Sequence, residues 1–274
     1  LIRLAIRVPE ESAELVLAEL ADLSPGGIEE CEAGEGFVEY AIYGAEGEIP
    51  ALPELEAAVG EVPVEVTTSV VEDGWESRWK DFHRAATVEA AGRRIRVSPP
   101  WDAGGGEAEV VIDPGRAFGT GAHPTTRLCL GLLLQEPVAG SCVDLGCGSG
   151  VLAIAAASLG WRPVRAVDHD PASVEASVAN ARVNGVSLEV GRFDLLRGGP
   201  APSADLVLAN LLRPLLLEVA REGFAGPAPR VVIASGLLVR EADEVSAALA
   251  RGLGMQETAR SAEGDWAALR LAVS

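Results

Sequence analysis

Residues 143–150, Val-Asp-Leu-Gly-Cys-Gly-Ser-Gly, limit what this chain can fold into more than any other stretch. An apolar run of strand length passes into a Gly-x-Gly-x-Gly turn, and the apolar segment 151–159 that follows reads as a helix. Glycines at such a junction let the backbone turn sharply and approach a ligand closely. The same rhythm recurs downstream. Strands are expected at 165–168, 188–193, 205–209 and 230–234, with helices at 172–184, 211–220 and 241–249. Helix 125–134 leads into the first strand, 141–145, and a last strand is expected over 266–273. This alternation predicts an α/β fold with a doubly wound sheet. Ligands of such sheets bind outside the carboxyl ends of the strands, where the glycine turn falls.

The spacing also narrows the ligand. Val151 stands where a dinucleotide fold carries the third glycine of G-x-G-x-x-G. Asp144 lies two residues before the first glycine, where a carboxylate disfavours a pyrophosphate and attracts a ligand ammonium. That chemistry points to S-adenosylmethionine, held by Asp144, Gly146, Gly148 and Gly150. Asp168, at the end of the next strand, is placed to accept two ribose hydroxyls. Asp170 with Pro171 reads as a helix cap. Asp194 ends the following strand and is placed to meet the adenine amino group, with Phe193 flanking the ring. Asn210 ends strand 205–209. Its amide has two readings, a helix cap or an acceptor that orients an incoming amine. Leu211-Leu212-Arg213 follows it in place of the Pro-Pro-aromatic run with which nucleobase methyltransferases stack a flat ring, so an aliphatic amine is the expected nucleophile.

The first 72 residues differ in kind. They hold 17 acidic and 2 basic side chains, a net of −15 out of −19 for the chain. Such a balance argues against a sequence-independent grip on nucleic acid, which needs a basic face. Strands at 1–8, 28–31, 37–43 and 62–71, with helices at 9–23 and 52–59, follow the β-α-β-β-α-β order of a ferredoxin-like α+β domain. Trp75, Trp79 and Phe82 share one helical face in an expected linker over 73–98, whose apolar face serves either core packing or domain positioning. The third part, 99–274, carries the doubly wound sheet. Cys31, Cys129, Cys142 and Cys147 show neither metal-ligand spacing nor a disulfide pattern, so no metal is expected. The longest apolar runs are too short to span a bilayer, and the first twenty residues do not read as a secretory signal; the expected location is cytoplasmic.

Between the linker and the sheet runs Asp113-Pro-Gly-Arg-Ala-Phe-Gly-Thr-Gly-Ala-His-Pro-Thr-Thr126, a poor core sequence. With Asp144-x-Gly-x-Gly-x-Gly150, Asp168, Ala-Asn210-Leu-Leu, Ser235-Gly-Leu-Leu238, Trp79-Lys80 and Asp265-Trp266, it closely resembles the PrmA family. Those bacterial enzymes methylate large-subunit ribosomal protein eleven. The chain departs from the family in His83-Arg84, where a proline is expected nearby, and in Asn-Leu-Leu for the commoner Asn-Ile-Leu. The resemblance implies a class I S-adenosylmethionine-dependent methyltransferase with a Rossmann-like sheet. It implies cofactor contacts at Thr126, Gly146, Asp168 and Asn210, and an N-terminal domain that recognises a basic ribosomal protein. On this footing Asn210 and the loop Phe118-Gly119-Thr120 hold a lysine or N-terminal amine, and His123 serves as a base or orients the loop. The alternatives are a methyltransferase acting on lysines of another protein, such as an electron-transfer flavoprotein, and a non-catalytic binder of the same cofactor.

Overall fold

Strand β8 (Cys142–Leu145) is buried on both faces, as a parallel strand between two helical layers must be. Cys142 points into one apolar cluster, and Val143 and Leu145 into the other. In β12 (Leu206–Asn210) Leu206 and Leu208 face the first cluster, while Val207 and Ala209 face the second. This double burial explains why both strands read as largely apolar runs, broken only by Asp144 in β8 and ended by Asn210 in β12. The computed structural model describes residues 2–13, 16–17, 20, 28–34, 36–44, 62–70, 84–104, 108–114 and 121–273. Contacts divide the chain into two compact units with a boundary after residue 82.

In the N-terminal unit, β1 (Ile2–Pro9) pairs antiparallel with β3 (Phe37–Gly44) and β4 (Glu65–Val70), and β2 (Glu29–Glu32) pairs antiparallel with β3. The resulting order β2-β3-β1-β4, with these directions, is the one a split β-α-β arrangement requires of its strands. Leu4, Ile6, Val8, Tyr40 and Ile42 form its core with helical Ala13, Val16 and Leu20. Arg3 and Arg7, the two cations of this segment, alternate to the other face and pair with Glu39 and Glu65. The helix expected at 52–59 and the amphipathic segment 75–82 lie outside the described residues.

The C-terminal unit opens with β5 (Ala86–Ala90), β6 (Arg93–Ser98) and β7 (Glu109–Val111), a small sheet ordered β5-β6-β7. Residues 86–98 therefore belong to this unit, which corrects the linker span of 73–98. Ile95 and Val97 are fully buried in its core, and that burial ties the hairpin to the unit. The main sheet adds β9 (Val164–Asp168), β10 (Glu189–Arg192), β14 (Val231–Leu238), β15 (Gln256–Glu263) and β16 (Trp266–Ala272). A two-residue pair, β11 (Ala201–Pro202) with β13 (Phe224–Ala225), stands apart from it. Its order is β10-β9-β8-β12-β14-β16-β15, parallel as far as β14 and antiparallel at β16 and β15. This is a doubly wound sheet, with the chain reversing direction across the sheet between β8 and β12. The helices are α1 (Pro124–Gln135), α2 (Val151–Leu159), α3 (Pro171–Val183), α4 (Arg213–Glu222) and α5 (Ala242–Leu253). β15 escapes a periodicity reading because it is a polar edge strand, paired with β16 and tied to the helices by the ion pairs Arg127–Glu263 and Arg260–Asp243.

Candidate active site

The carboxyl ends of β8 and β12 flank the point where the strand order reverses, and the glycine turn and Asn210 sit on those two ends. Gly146, Gly148 and Gly150 all adopt positive φ, of 67°, 51° and 82°. At Gly150 a Cβ would come within 3.2 Å of the Ser177 backbone, so only glycine lets α2 start this close to α3. Amides of Gly146 and Cys147 donate to the Val167 carbonyl at 2.8 and 3.0 Å, which fastens the turn to the end of β9.

Asp168 is 7% exposed and locked in place from both sides. Its Oδ2 accepts the Gly148 amide at 3.0 Å, and its Oδ1 accepts the Asp170 amide at 3.0 Å. The His169 Nδ1 also lies 3.3 Å from Oδ1, and since a carboxylate offers about four lone-pair sites these contacts leave it with accepting capacity to spare. Asp170 caps α3 through the amides of Ala172 and Ser173, as its place before Pro171 suggested. Phe193 follows β10, with its amide on the Asp168 carbonyl at 2.8 Å. Asp194 forms a local turn by accepting the Leu196 amide at 2.9 Å.

Asp144 lies on the face of β8 otherwise filled by apolar side chains and is 1% exposed. Its Oδ2 accepts the Ala153 amide of α2 at 3.1 Å, and among the described residues Oδ1 has no partner. Burial above all, with Asp168 nearby, pushes its carboxyl up to about 8. A buried acceptor without a partner beside a glycine turn suits a cationic ligand group. Binding of such a group near Oδ1 will expel the proton, so at pH 7 ligand binding is expected to release protons. Calorimetry in buffers of different ionisation enthalpy checks this; an apparent enthalpy independent of buffer refutes it.

Asn210 does not cap α4, whose N-cap is Leu212 without a side-chain cap. Its Nδ2 instead reaches Thr126 Oγ1, fully buried in the first turn of α1, at 3.5 Å. The structure thus brings together two residues 84 positions apart in the sequence. Leu211 lies over the turn, since a Cβ on Gly146 would strike its Cδ2 at 2.4 Å. Arg213 is held away by a bidentate pair with Glu244 at 2.7 and 2.9 Å. His123 caps α1: its Nδ1 accepts the Thr125 amide at 3.3 Å, and its ring meets Trp266 edge-on at 4.9 Å. Burial and then Arg127 lower its pKa, which keeps the cap neutral. Phe118, Gly119 and Thr120 lie outside the described residues.

Two contributors escaped sequence reasoning about this site. One is the polar face of α3, formed by Ser177 and Asn180. The other is Gly236, a lone glycine inside β14 and so a signal of close approach. Its φ is +84°, and a Cβ there would lie 2.5 Å from the Leu211 carbonyl oxygen and 2.9 Å from its nitrogen. Gly236→Ala is therefore expected to push back the Asn210–Leu211 backbone. We expect a loss of about 1–3 kcal/mol by the strain argument, with a disproportionate fall in turnover. Thermal melts alongside initial rates check it, and an unchanged rate would refute the contact.

A family model described as Ribosomal protein L11 methyltransferase (PrmA) matches residues 41–273. The Ribosomal protein L11 methyltransferase of Pelotomaculum thermopropionicum is 34% identical over 307 residues, covering 98% of this chain and 97% of the relative. Its counterpart from Geobacter metallireducens is 39% identical over 213 residues, covering 74% of this chain and 67% of the relative. Among solved structures, a ribosomal protein L11 methylase from Lactobacillus delbrueckii subsp. bulgaricus superposes with a TM-score of 0.56 at 28% identity. That match covers 69% of this chain and 98% of the other.

Proposed function

Because the chain belongs to the PrmA family of ribosomal protein L11 methyltransferases, we propose that it methylates lysine side-chain and N-terminal amines of ribosomal protein L11 with S-adenosylmethionine as donor. The observation that carries this reading is the convergence of Asn210, Thr126, the glycine turn and Asp168 where the sheet reverses. The donor supplies an electrophilic methyl group on a sulfonium. Asp168 would accept its ribose hydroxyls, Asp144 its ammonium, and Asp194 its adenine amino group, while Gly146, Gly148 and Gly150 admit it at close range.

The contact from Asn210 Nδ2 to Thr126 turns the amide oxygen the other way, as an acceptor for an amine N–H. Accepting that hydrogen aims the amine lone pair, and alignment alone can supply about 7 kcal/mol or more of barrier reduction. The nucleophile must be neutral, whereas a free lysine has a pKa of about 10.4. Desolvation in the pocket supports deprotonation. His123, whose Nδ1 is engaged as the α1 cap, acts by fixing the turn that carries Thr126. The acidic N-terminal segment presents a surface complementary to a basic ribosomal protein, which speeds encounter and sets orientation.

Incubating purified L11 with the enzyme and labelled donor tests the reading, with intact mass counting the methyl groups. Incorporation into L11, slowed by rising salt, supports it. Label appearing only in another protein, such as an electron-transfer flavoprotein, or binding without turnover, overturns it.

A further inference from the structure

Helix α3 buries a polar face. Ser173, Ser177 and Asn180 follow helical spacing and are all buried, and Asn184 caps the end. Buried polar groups are costly unless paired; Ser173 pairs locally with the Asp170 cap, whereas Ser177, Asn180 and Asn184 are paired with backbone far away in sequence. Ser177 Oγ donates to the Gly148 carbonyl at 2.9 Å, and Asn180 Nδ2 to the Ser149 carbonyl at 2.9 Å, both within the glycine turn. The same Asn180 amide accepts the Asp113 N–H through Oδ1 at 3.1 Å. Asn184 accepts the Val111 N–H and donates to the Val111 carbonyl, both at 2.7 Å, as a neighbouring strand would. Asp113 begins the segment 113–126, which ends at Thr126 beside Asn210.

We infer that Asn180 is a positioning residue that holds the glycine turn and the start of segment 113–126 in one frame, so that donor binding and acceptance of the protein substrate share a single amide. Asn184 secures only the second of these. The inference rests on the methyltransferase reading and adds to it a residue through which the two substrates are set relative to each other. The two arms of Asn180 are chemically separable. Asn180→Asp keeps an acceptor for the Asp113 N–H and loses the donor to Ser149, and it is close to isosteric.

The test uses the full-length enzyme, S-adenosylhomocysteine titrated by calorimetry, and steady-state methylation of L11. Asn180→Ala should weaken S-adenosylhomocysteine about tenfold and lower kcat/KM for L11 by a similar factor, as expected for a lost buried hydrogen bond. Asn180→Asp should weaken S-adenosylhomocysteine comparably while KM for L11 stays within about twofold. Asn184→Ala should leave S-adenosylhomocysteine affinity within about twofold and raise KM for L11. Variants that lower Tm yet leave affinity and KM at wild-type values overturn the inference, because a merely structural role predicts that pattern. A wild-type enzyme that neither binds S-adenosylhomocysteine nor methylates L11 overturns the methyltransferase reading itself, and the inference with it.

Discussion

Asn210→Ala will lower kcat for L11 methylation by about 10²-fold or more, because an amine that is held but not aligned loses most of the benefit of proximity. The fold should survive. Asn210 is only half-buried at a strand end and caps no helix, so its removal leaves no helix end exposed. Tm is expected to move by no more than a few degrees, of the order produced by about 1 kcal/mol. Asn210→Asp keeps an oxygen for the amine N–H but gives up the donor to Thr126, so its rate should fall between those of wild type and Asn210→Ala. Single-turnover rates with saturating donor separate alignment from binding. Full activity in Asn210→Ala would remove the amide from the mechanism.

Asp168→Ala will weaken S-adenosylhomocysteine by about 10²-fold or more, since two charge-assisted hydrogen bonds to a ribose are worth several kcal/mol together. A second effect adds to the first. The amides of Gly148 and Asp170 lose their acceptor, so the glycine turn loses one of its anchors to β9. Asp168→Asn retains an acceptor oxygen and should recover part of the affinity. At saturating donor, kcat should remain within about an order of magnitude of wild type, because the loss falls on binding before the amine is engaged. Unchanged affinity in Asp168→Ala, measured by calorimetry, would dissociate this carboxylate from the ribose.

Much of the C-terminal fold is legible from periodicity. Apolar runs of strand length alternate with helical segments, and each junction carries its own turn chemistry. The observed helices α1, α2 and α3 match their expected spans to within a residue or two. Where the reading fell short, the local signal was weak or misleading. β5 is an alternating exposed and half-buried hairpin strand, Ala-Thr-Val-Glu-Ala, that lay within the expected linker. Helix α4 begins at Arg213 and not at residue 211, because the Leu211 N–H donates to the Ser235 carbonyl at 2.9 Å and Leu212, the N-cap, is extended. The strand at 230–234 runs on to Leu238, past an irregularity in register between Ala234 and Leu237 that surrounds Gly236.

The site divides in the same way. By itself the sequence determined the glycine turn, the carboxylate at the end of β9 and the amide at the end of β12. These are properties of a few consecutive residues: the sign of φ that glycine permits, and the abrupt end of an apolar run at a polar side chain. Only the tertiary structure decided who meets whom. Strand order, which no local periodicity encodes, sets Asn210 against Thr126. It presses Gly236 onto the Leu211 backbone and lets one amide of α3 reach both the glycine turn and Asp113. Hydrogen bonds and close approaches between residues dozens of positions apart exist only once the sheet has closed, and the proposed alignment of the amine rests on them.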